Sequence, residues 1–116
     1  MNIIEIAKRL GEFLNGRTIY FDHKSYDFAE DIPHIIMDGK RENVLSIQFN
    51  DDGSFLNIET ETYEYGIGFY EDEDTTFEQI LKEAEEMGLY DLFSNIYYET
   101  EESWEIGDFE THFLGI

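Results

Sequence analysis

The segment that decides the fold is NVLSIQFNDDGSFLNIET, residues 43–60. Apolar and polar residues alternate in both of its halves, which is the pattern of strands that bury one face. The Asp-Asp-Gly turn at 51–53 lies between the halves and predicts a β-hairpin. The residues expected on the buried face are Leu45, Ile47 and Phe49 in the first strand, and Leu56 and Ile58 in the second.

The alternation changes phase after residue 60, without a glycine or proline to mark the change. A phase change of this kind indicates a bulge or a tight turn near Glu61-Thr62. The pattern leaves open whether the chain forms one long bent strand here or two strands. The apolar and aromatic residues that follow occupy odd positions: Tyr63, Tyr65, Ile67 and Phe69.

Two shorter strands are predicted before the hairpin, at residues 17–21 and 34–37. A loop at 22–33 connects them, and Asp38-Gly39 supplies a turn after the second. An amphipathic helix is predicted ahead of both strands, over residues 2–15. Its expected N-cap is Asn2 and its stop is Asn15-Gly16, since glycine tolerates the left-handed conformation.

A second helix is predicted after the acidic loop at 71–74. Thr75 as N-cap and Glu78 three residues later fit a capping box, and Gly88 ends the helix. The residues expected to face inward are Phe77, Ile80, Leu81 and Ala84.

Residues 89–98 fit either a short helix or, from Asn95 onward, a strand, and Trp104–Phe113 is predicted to be a last strand. Together these elements predict one α+β domain over residues 1–116. It would contain a mainly antiparallel sheet of four to six strands, the N-terminal helix, and one or two further helices packed on one face. The other face of such a sheet can be exposed to water and could carry the charges.

The chain is strongly and unevenly acidic. It has 28 Asp and Glu against seven Lys and Arg, a net charge of -21. Residues 1–41 hold six of the seven bases and seven acids, whereas residues 42–116 hold 21 acids and a single base, Lys82. Aromatic residues make up 16% of the chain, which argues for a folded domain rather than an acidic disordered tail. A basic protein partner is therefore expected.

Several classes of protein are disfavoured by the composition. Direct binding to nucleic acid or to an anionic membrane surface is not expected, because both are polyanions. The chain has no cysteine, and so no disulfide or thiolate metal site. It shows neither a signal peptide nor an apolar run long enough to span a membrane. A cytoplasmic location is the resulting expectation, and the oligomeric state stays open.

The sequence carries no recognisable catalytic or cofactor motif, and we expect a protein that is not an enzyme. An EF-hand loop around Gly53 fails at its first position, which is Gln48. The Glu71–Asp74 loop could hold Ca²⁺ only weakly, so no metal or other cofactor is expected. His23, His34 and His112 are scattered without a metal-binding spacing.

Two acidic clusters are the candidate partner-binding residues. Glu59 and Glu61 would lie on one face of a strand, about 6.7 Å apart. The second cluster mixes acids with Tyr and Trp, a composition suited to an interface because aromatic residues anchor and acids steer a basic partner. The first cluster is Glu59, Glu61, Glu64, Glu71, Asp72, Glu73 and Asp74; the second is Tyr97, Tyr98, Glu99, Glu101, Glu102, Trp104, Glu105 and Asp108.

In size, charge, lack of cysteine and α+β pattern, the chain resembles the small acidic immunity proteins of bacterial contact-dependent inhibition and polymorphic toxin systems. The resemblance implies an inhibitor that neutralises a basic cognate toxin, often a nuclease, by covering its active site or a nearby surface. The alternative is a phage or plasmid nucleic-acid mimic, such as an anti-CRISPR or anti-restriction protein, that inhibits a host nucleic-acid-binding effector. A third possibility is an enzyme or metal-binding module built on the carboxylates.

Overall fold

A computed structural model describes residues 2–99 of the chain. The predicted α+β class is confirmed, with five antiparallel strands in the described range. Single 3-10 turns at His23–Ser25 and Ala29–Asp31 lie in the predicted loop, and the strand predicted at Trp104–Phe113 lies outside the described residues. The elements are α1 (Ile3–Leu14), β1 (Thr18–Tyr20), β2 (His34–Met37), β3 (Lys40–Phe49), β4 (Phe55–Thr60), β5 (Glu64–Gly68), α2 (Phe77–Met87) and α3 (Leu89–Glu99).

The sheet is organised around β3, its longest strand. The order is β1-β3-β4-β5, and β2 also pairs with β3. β1 pairs with residues 46–48 of β3, whereas β2 pairs with residues 40–43. The predicted hairpin is confirmed as β3 and β4, and β5 pairs with β4.

A β-bulge in β3 corrects one part of the predicted pattern. The register with β4 shifts between Val44 and Ser46, so Leu45 is an extra residue in the strand. A shift by one residue exchanges the two faces of a strand. Val44 is therefore fully buried, while Leu45, which was expected on the buried face, is only half-buried.

The structure also decides the two cases that the sequence left open. β4 and β5 are separate strands joined by a tight turn, in which the Thr60 N–H donates to the Tyr63 carbonyl at 2.8 Å. The Thr60 hydroxyl reinforces this turn by accepting from the Tyr63 N–H at 2.9 Å. Residues 89–98 belong to the helix α3.

All three helices contribute to the core on one face of the sheet. α1 contacts β3 and α2, and α3 contacts β1, β2 and α2. Edge-to-face contacts between aromatic rings join α3 to the sheet side of the core. The ring centroid of Phe93 lies 5.2 Å from that of Phe49 and 6.4 Å from that of Phe69. The largest fully buried side chains are Phe49, Phe93, Ile3, Ile6, Leu10, Ile35, Ile47, Leu56, Ile58, Leu89 and Leu92.

The start of α2 lies one residue later than predicted. Its N-cap is Thr76, whose side chain accepts from the Gln79 N–H, and the Gln79 side chain accepts from the Thr76 N–H. The capping box is thus formed by this pair instead of Thr75 and Glu78. Phe77 becomes the first helical residue and is 44% exposed, although it was expected to face inward. The buried residues of α2 begin one turn later, at Ile80.

A glycine pair lets α1 lie directly against the β3–β4 hairpin. Gly11 of α1 faces the turn at Gly53, and a Cβ atom at either position would overlap backbone atoms of the other segment. Gly53 also has a positive φ of 71°, which side chains other than glycine rarely adopt. The close approach fixes the hairpin relative to the helical layer. On the opposite face of the sheet Gln48, Asn57 and Glu59 are exposed among residues 2–99.

Candidate partner-binding surface

The open face of the sheet carries a row of four residues that runs across four strands. The strand registers pair Tyr20 with Ser46, Ser46 with Glu59, and Glu59 with Glu64. These side chains lie on the face opposite the core, because the residues that flank Tyr20 and Glu59 along their strands are buried and Glu64 pairs with Glu59. Tyr20, Glu59 and Glu64 are exposed, whereas Ser46 is only 8% exposed. A second row, formed by Thr18, Gln48, Asn57 and Gly66, lies beside it. We call the two rows together the open face.

The two glutamates of the row stand directly opposite each other. Glu59 and Glu64 form a non-hydrogen-bonded pair, since the neighbouring pair of Thr60 and Tyr63 is the hydrogen-bonded one. Side chains approach closest at such positions, with Cβ atoms about 4.5–5.5 Å apart. Like charges in this arrangement destabilise the sheet. A single cation bound between Glu59 and Glu64 could therefore contact both carboxylates.

The second row is polar without charge. Thr18 pairs with Gln48, Gln48 with Asn57, and Asn57 with Gly66. The Gln48 amide donates to the Gly16 carbonyl at 2.8 Å, which orients the side chain along the sheet. These residues offer hydrogen-bonding groups beside the carboxylates.

A shallow depression of about 420 Å³ lies over both rows. At one end of the charged row, Tyr20 is 73% exposed, and a large amphipathic side chain in this position can anchor a partner. The lining residues are Thr18, Tyr20, Ser46, Gln48, Asn57, Ile58, Glu59 and Glu64.

Glu61 has a different environment from Glu59. β4 ends at Thr60, so Glu61 belongs to the turn and not to the strand on which the sequence placed it. Its carboxylate lies 3.2 Å from His23 Nδ1, while His23 Nε2 donates to the Val44 carbonyl at 2.7 Å. Glu61 therefore helps to attach the 22–33 loop to the sheet when the imidazole is protonated, because Nδ1 can donate to the carboxylate only in that state.

The acidic loop at 71–74 stabilises the start of α2. The Glu71 carboxylate accepts from the Phe77 N–H at 3.2 Å, and the Asp72 carboxylate accepts from the Asp74 N–H at 2.8 Å. Acids at the N-terminus of a helix also interact favourably with its dipole. This loop follows the C-terminal end of β5, whereas Glu64 lies at its N-terminal end, about 14 Å away along the strand. The first acidic cluster is therefore divided into parts with separate roles.

The second acidic cluster lies mostly beyond the described residues. Tyr97, Tyr98 and Glu99 end α3. Glu101, Glu102, Trp104, Glu105 and Asp108 lie outside residues 2–99.

Glu42, an acid on the core side of the sheet, was not singled out by the sequence. Glu42 of β3 accepts hydrogen bonds from the Thr60 hydroxyl at 2.9 Å and from the Tyr65 hydroxyl. The hydrogen bond to Glu42, with burial and the carboxylate charge as smaller causes, raises the pKa of Tyr65 to about 12. Glu42 pairs with the buried Ile35 across β2 and β3, which identifies it as a structural acid rather than part of the open face.

Sequence reasoning also missed Tyr20, Gln48 and Asn57 as members of the surface. Their alternation with buried residues assigns each to the outer side of its own strand, so a signal was present. Their alignment into rows depends on the strand order and on the bulge at Leu45, which no local pattern reports.

Within residues 2–99, no group of three or more His, Asp or Glu side chains is arranged to hold a metal ion. No helix in the described part of the chain is long and apolar enough to cross a membrane. Comparison with protein-family models, with curated protein sequences and with solved structures gives no match.

Proposed function

We propose that the chain is a cytoplasmic inhibitor of the immunity-protein type, which binds a basic partner domain through the open face. The observation that carries this proposal is the Glu59–Glu64 pair, two like charges at the closest cross-strand position, in the same row as the exposed Tyr20. A basic toxin domain, in particular a nuclease, is the partner class that this chemistry fits best.

A cation that binds between the two carboxylates would stabilise the Glu59–Glu64 pair most. A Lys or Arg side chain of the partner would replace the repulsion with two attractions, and Arg can bind both oxygens of a carboxylate in a bidentate manner. The surrounding charge assists the approach, because residues 42–116 hold 21 acids and one base. A field of this size raises the association rate of a basic partner, and added salt weakens it.

Inhibition follows from the nature of the partner's basic surface. Nucleases bind the phosphate backbone of their substrate with Lys and Arg. An acidic domain seated on those residues would exclude the nucleic acid from the active site. Neutral hydrogen-bonding groups, from Gln48 and Asn57, would add contacts that distinguish one basic surface from another.

The open face supports side-chain recognition better than nucleic-acid mimicry. A mimic would need carboxylates repeated along the surface at intervals comparable with phosphates. The described open face instead has two adjacent carboxylates among uncharged residues such as Thr18, Ser46 and Asn57. This is the reason for preferring a toxin domain as partner.

The test is a growth-rescue experiment with binding measurements. The chain is co-expressed with each member of a panel of basic bacterial nuclease toxin domains, and affinities are measured for the purified pairs. We expect one toxin to be neutralised by the wild type, and the Glu59→Lys and Glu64→Lys variants to bind it at least about tenfold more weakly, a loss of about 1.4 kcal/mol.

The matched control is Glu85→Lys, which makes the same charge change at an exposed position of α2, away from the open face. It should keep most of the affinity and the rescue. Equal losses for Glu85→Lys and the two open-face variants would show that total charge alone governs binding. A panel with no bound toxin, or tight binding that survives both open-face reversals, would overturn the proposal.

A further inference from the structure

The outer edge of β5 is a second surface with a specific geometry. The Thr60 N–H donates to the Tyr63 carbonyl, and the Phe69 N–H donates to the Ser54 carbonyl. Hydrogen-bonded and non-hydrogen-bonded pairs alternate along an antiparallel ladder. Tyr65 and Ile67 therefore direct their backbone groups toward β4. The N–H and C=O groups of three residues point outward from the edge: Glu64, Gly66 and Gly68.

These outward groups have no strand beside them in the described part of the chain, residues 2–99, where β5 pairs only with β4. Proteins usually protect such an edge with lysine, proline, a bulge or a covering element. β5 has none of the first three: its sequence is EYGIG, in which Glu64 at the first position is the one charged residue, and its register with β4 is regular. An edge of this kind is a template for strand addition.

Two of the three outward positions are glycines covered by aromatic rings. A Cβ atom at Gly66 would lie 2.7 Å from Cζ of Phe55, and one at Gly68 would lie 2.8 Å from Cε1 of Tyr70. The rings of Phe55 and Tyr70 therefore lie over the strand where side chains would otherwise stand. Tyr70 is 50% exposed, so it can also contact a strand placed beside β5.

A groove of about 320 Å³ runs between β5 and α2 on the helical side of the sheet. Its walls include the half-buried side chains of Ile67, Met37 and Met87. The charged residues that line it in the described range are Asp72 and Glu83, both acidic. A strand added to β5 would thus face an apolar groove on one side and Glu64 on the other.

We propose that the edge of β5 binds an extended basic segment of a partner protein by strand addition, with apolar side chains in the groove and basic side chains on the side of Glu64. Main-chain hydrogen bonds would supply affinity and the alternating side chains would supply selectivity. This proposal rests on the proposed function only for the positive charge of the partner. A second copy of the chain is a poor occupant, because each copy carries a net charge of -21 and like charges repel.

The probe is a seven-residue peptide of alternating lysine and valine, added to the full chain. Amide hydrogen exchange is followed by NMR in the free and bound states. In the free protein the amides of Glu64, Gly66 and Gly68 should exchange rapidly, while those of Tyr65 and Ile67 should be protected by β4. With the peptide bound, the three outward amides should slow by at least about tenfold, as expected for new backbone hydrogen bonds.

Two chemically matched peptides separate strand addition from charge attraction. One is N-methylated at its lysines and the other at its valines, so that both keep the charge and the side chains. An added strand directs alternate N–H groups to its neighbour, and only one of the two peptides should therefore lose binding, by at least about tenfold. Equal binding of both modified peptides and the parent would reduce the interaction to electrostatics and overturn the proposal.

Other occupants have distinct outcomes in the same experiment. Outward amides that are already protected in the free protein at low concentration would show that another part of this chain covers the edge. Protection that appears only at high protein concentration would show pairing with a second copy. Either result, or absence of protection at millimolar peptide, overturns the proposal. Because no toxin is used, strand addition can hold even when the toxin panel gives no partner.

Discussion

The Glu59–Glu64 pair gives a prediction that needs no partner: removing either charge should stabilise the fold. With the carboxylates about 6 Å apart in water, the Coulomb repulsion is about 0.7 kcal/mol. This value lies within the range of about 0.2–1 kcal/mol found for cross-strand pairs. Glu59→Gln and Glu64→Gln should each raise the free energy of unfolding by this order, in a protein whose total is typically about 5–15 kcal/mol.

A double-mutant cycle separates the pair from the general acidity of the chain. Each substitution also reduces the net charge of -21, but that effect is nearly additive and cancels in the cycle. The double variant should therefore gain less than the sum of the single variants, by about the pair repulsion. Urea is the appropriate denaturant because guanidinium salts would screen the charges.

The salt dependence completes the test. At about 10 mM ionic strength the coupling should be largest, and at about 1 M, where the Debye length is about 3 Å, it should be close to zero. Additive single variants at low salt would refute the reasoning, because they would show that the two carboxylates do not interact. A coupling that persists at high salt would indicate a steric cause instead of a charge.

Two further predictions concern the framework that presents the open face. Gly11→Ala should lower the free energy of unfolding by about 1–3 kcal/mol in urea titrations, because the added Cβ meets the backbone of Gly53; a gain, as helix propensity alone predicts, would contradict the packing. The pKa of Tyr65 is raised from 10.0 to about 12 by its hydrogen bond to Glu42. The stability that this hydrogen bond contributes is fully present below pH 10 and is lost as the pH rises from 10 to 12. Unfolding measured across this range should show wild type losing stability relative to Tyr65→Phe, and parallel curves would contradict the Glu42 hydrogen bond.

Local patterns predicted most of the elements because each one depends on neighbours in sequence. The alternation in residues 43–60 places Ile47, Phe49, Leu56 and Ile58 in the core, as the structure confirms. The pattern failed where strand pairing or helix capping, which the spacing of apolar residues does not report, decided the outcome. Val44 replaces Leu45 in the core because a bulge against β4 shifts the register. Phe77 is exposed because α2 begins at a capping box one residue later than expected.

The candidate surface was predicted only in part. The sequence predicted that Glu59, Glu61 and Glu64 belong to one acidic cluster. Their spacing along the chain could not predict that they have different surroundings. Strand pairing brings Glu64 opposite Glu59, while Glu61 turns toward His23. Tyr20, about forty residues earlier in the chain, joins the same row through β3.

The sequence by itself determined the α+β class, the β3–β4 hairpin and the concentration of acid in residues 42–116, because hydrophobic period, turn chemistry and charge are local properties of the chain. Only the tertiary structure decided which acids meet, which strand lies at the edge of the described sheet and which residues share a face. The physical reason is that a row across a sheet joins residues distant in sequence, and its members change when the register of any strand moves by a single residue.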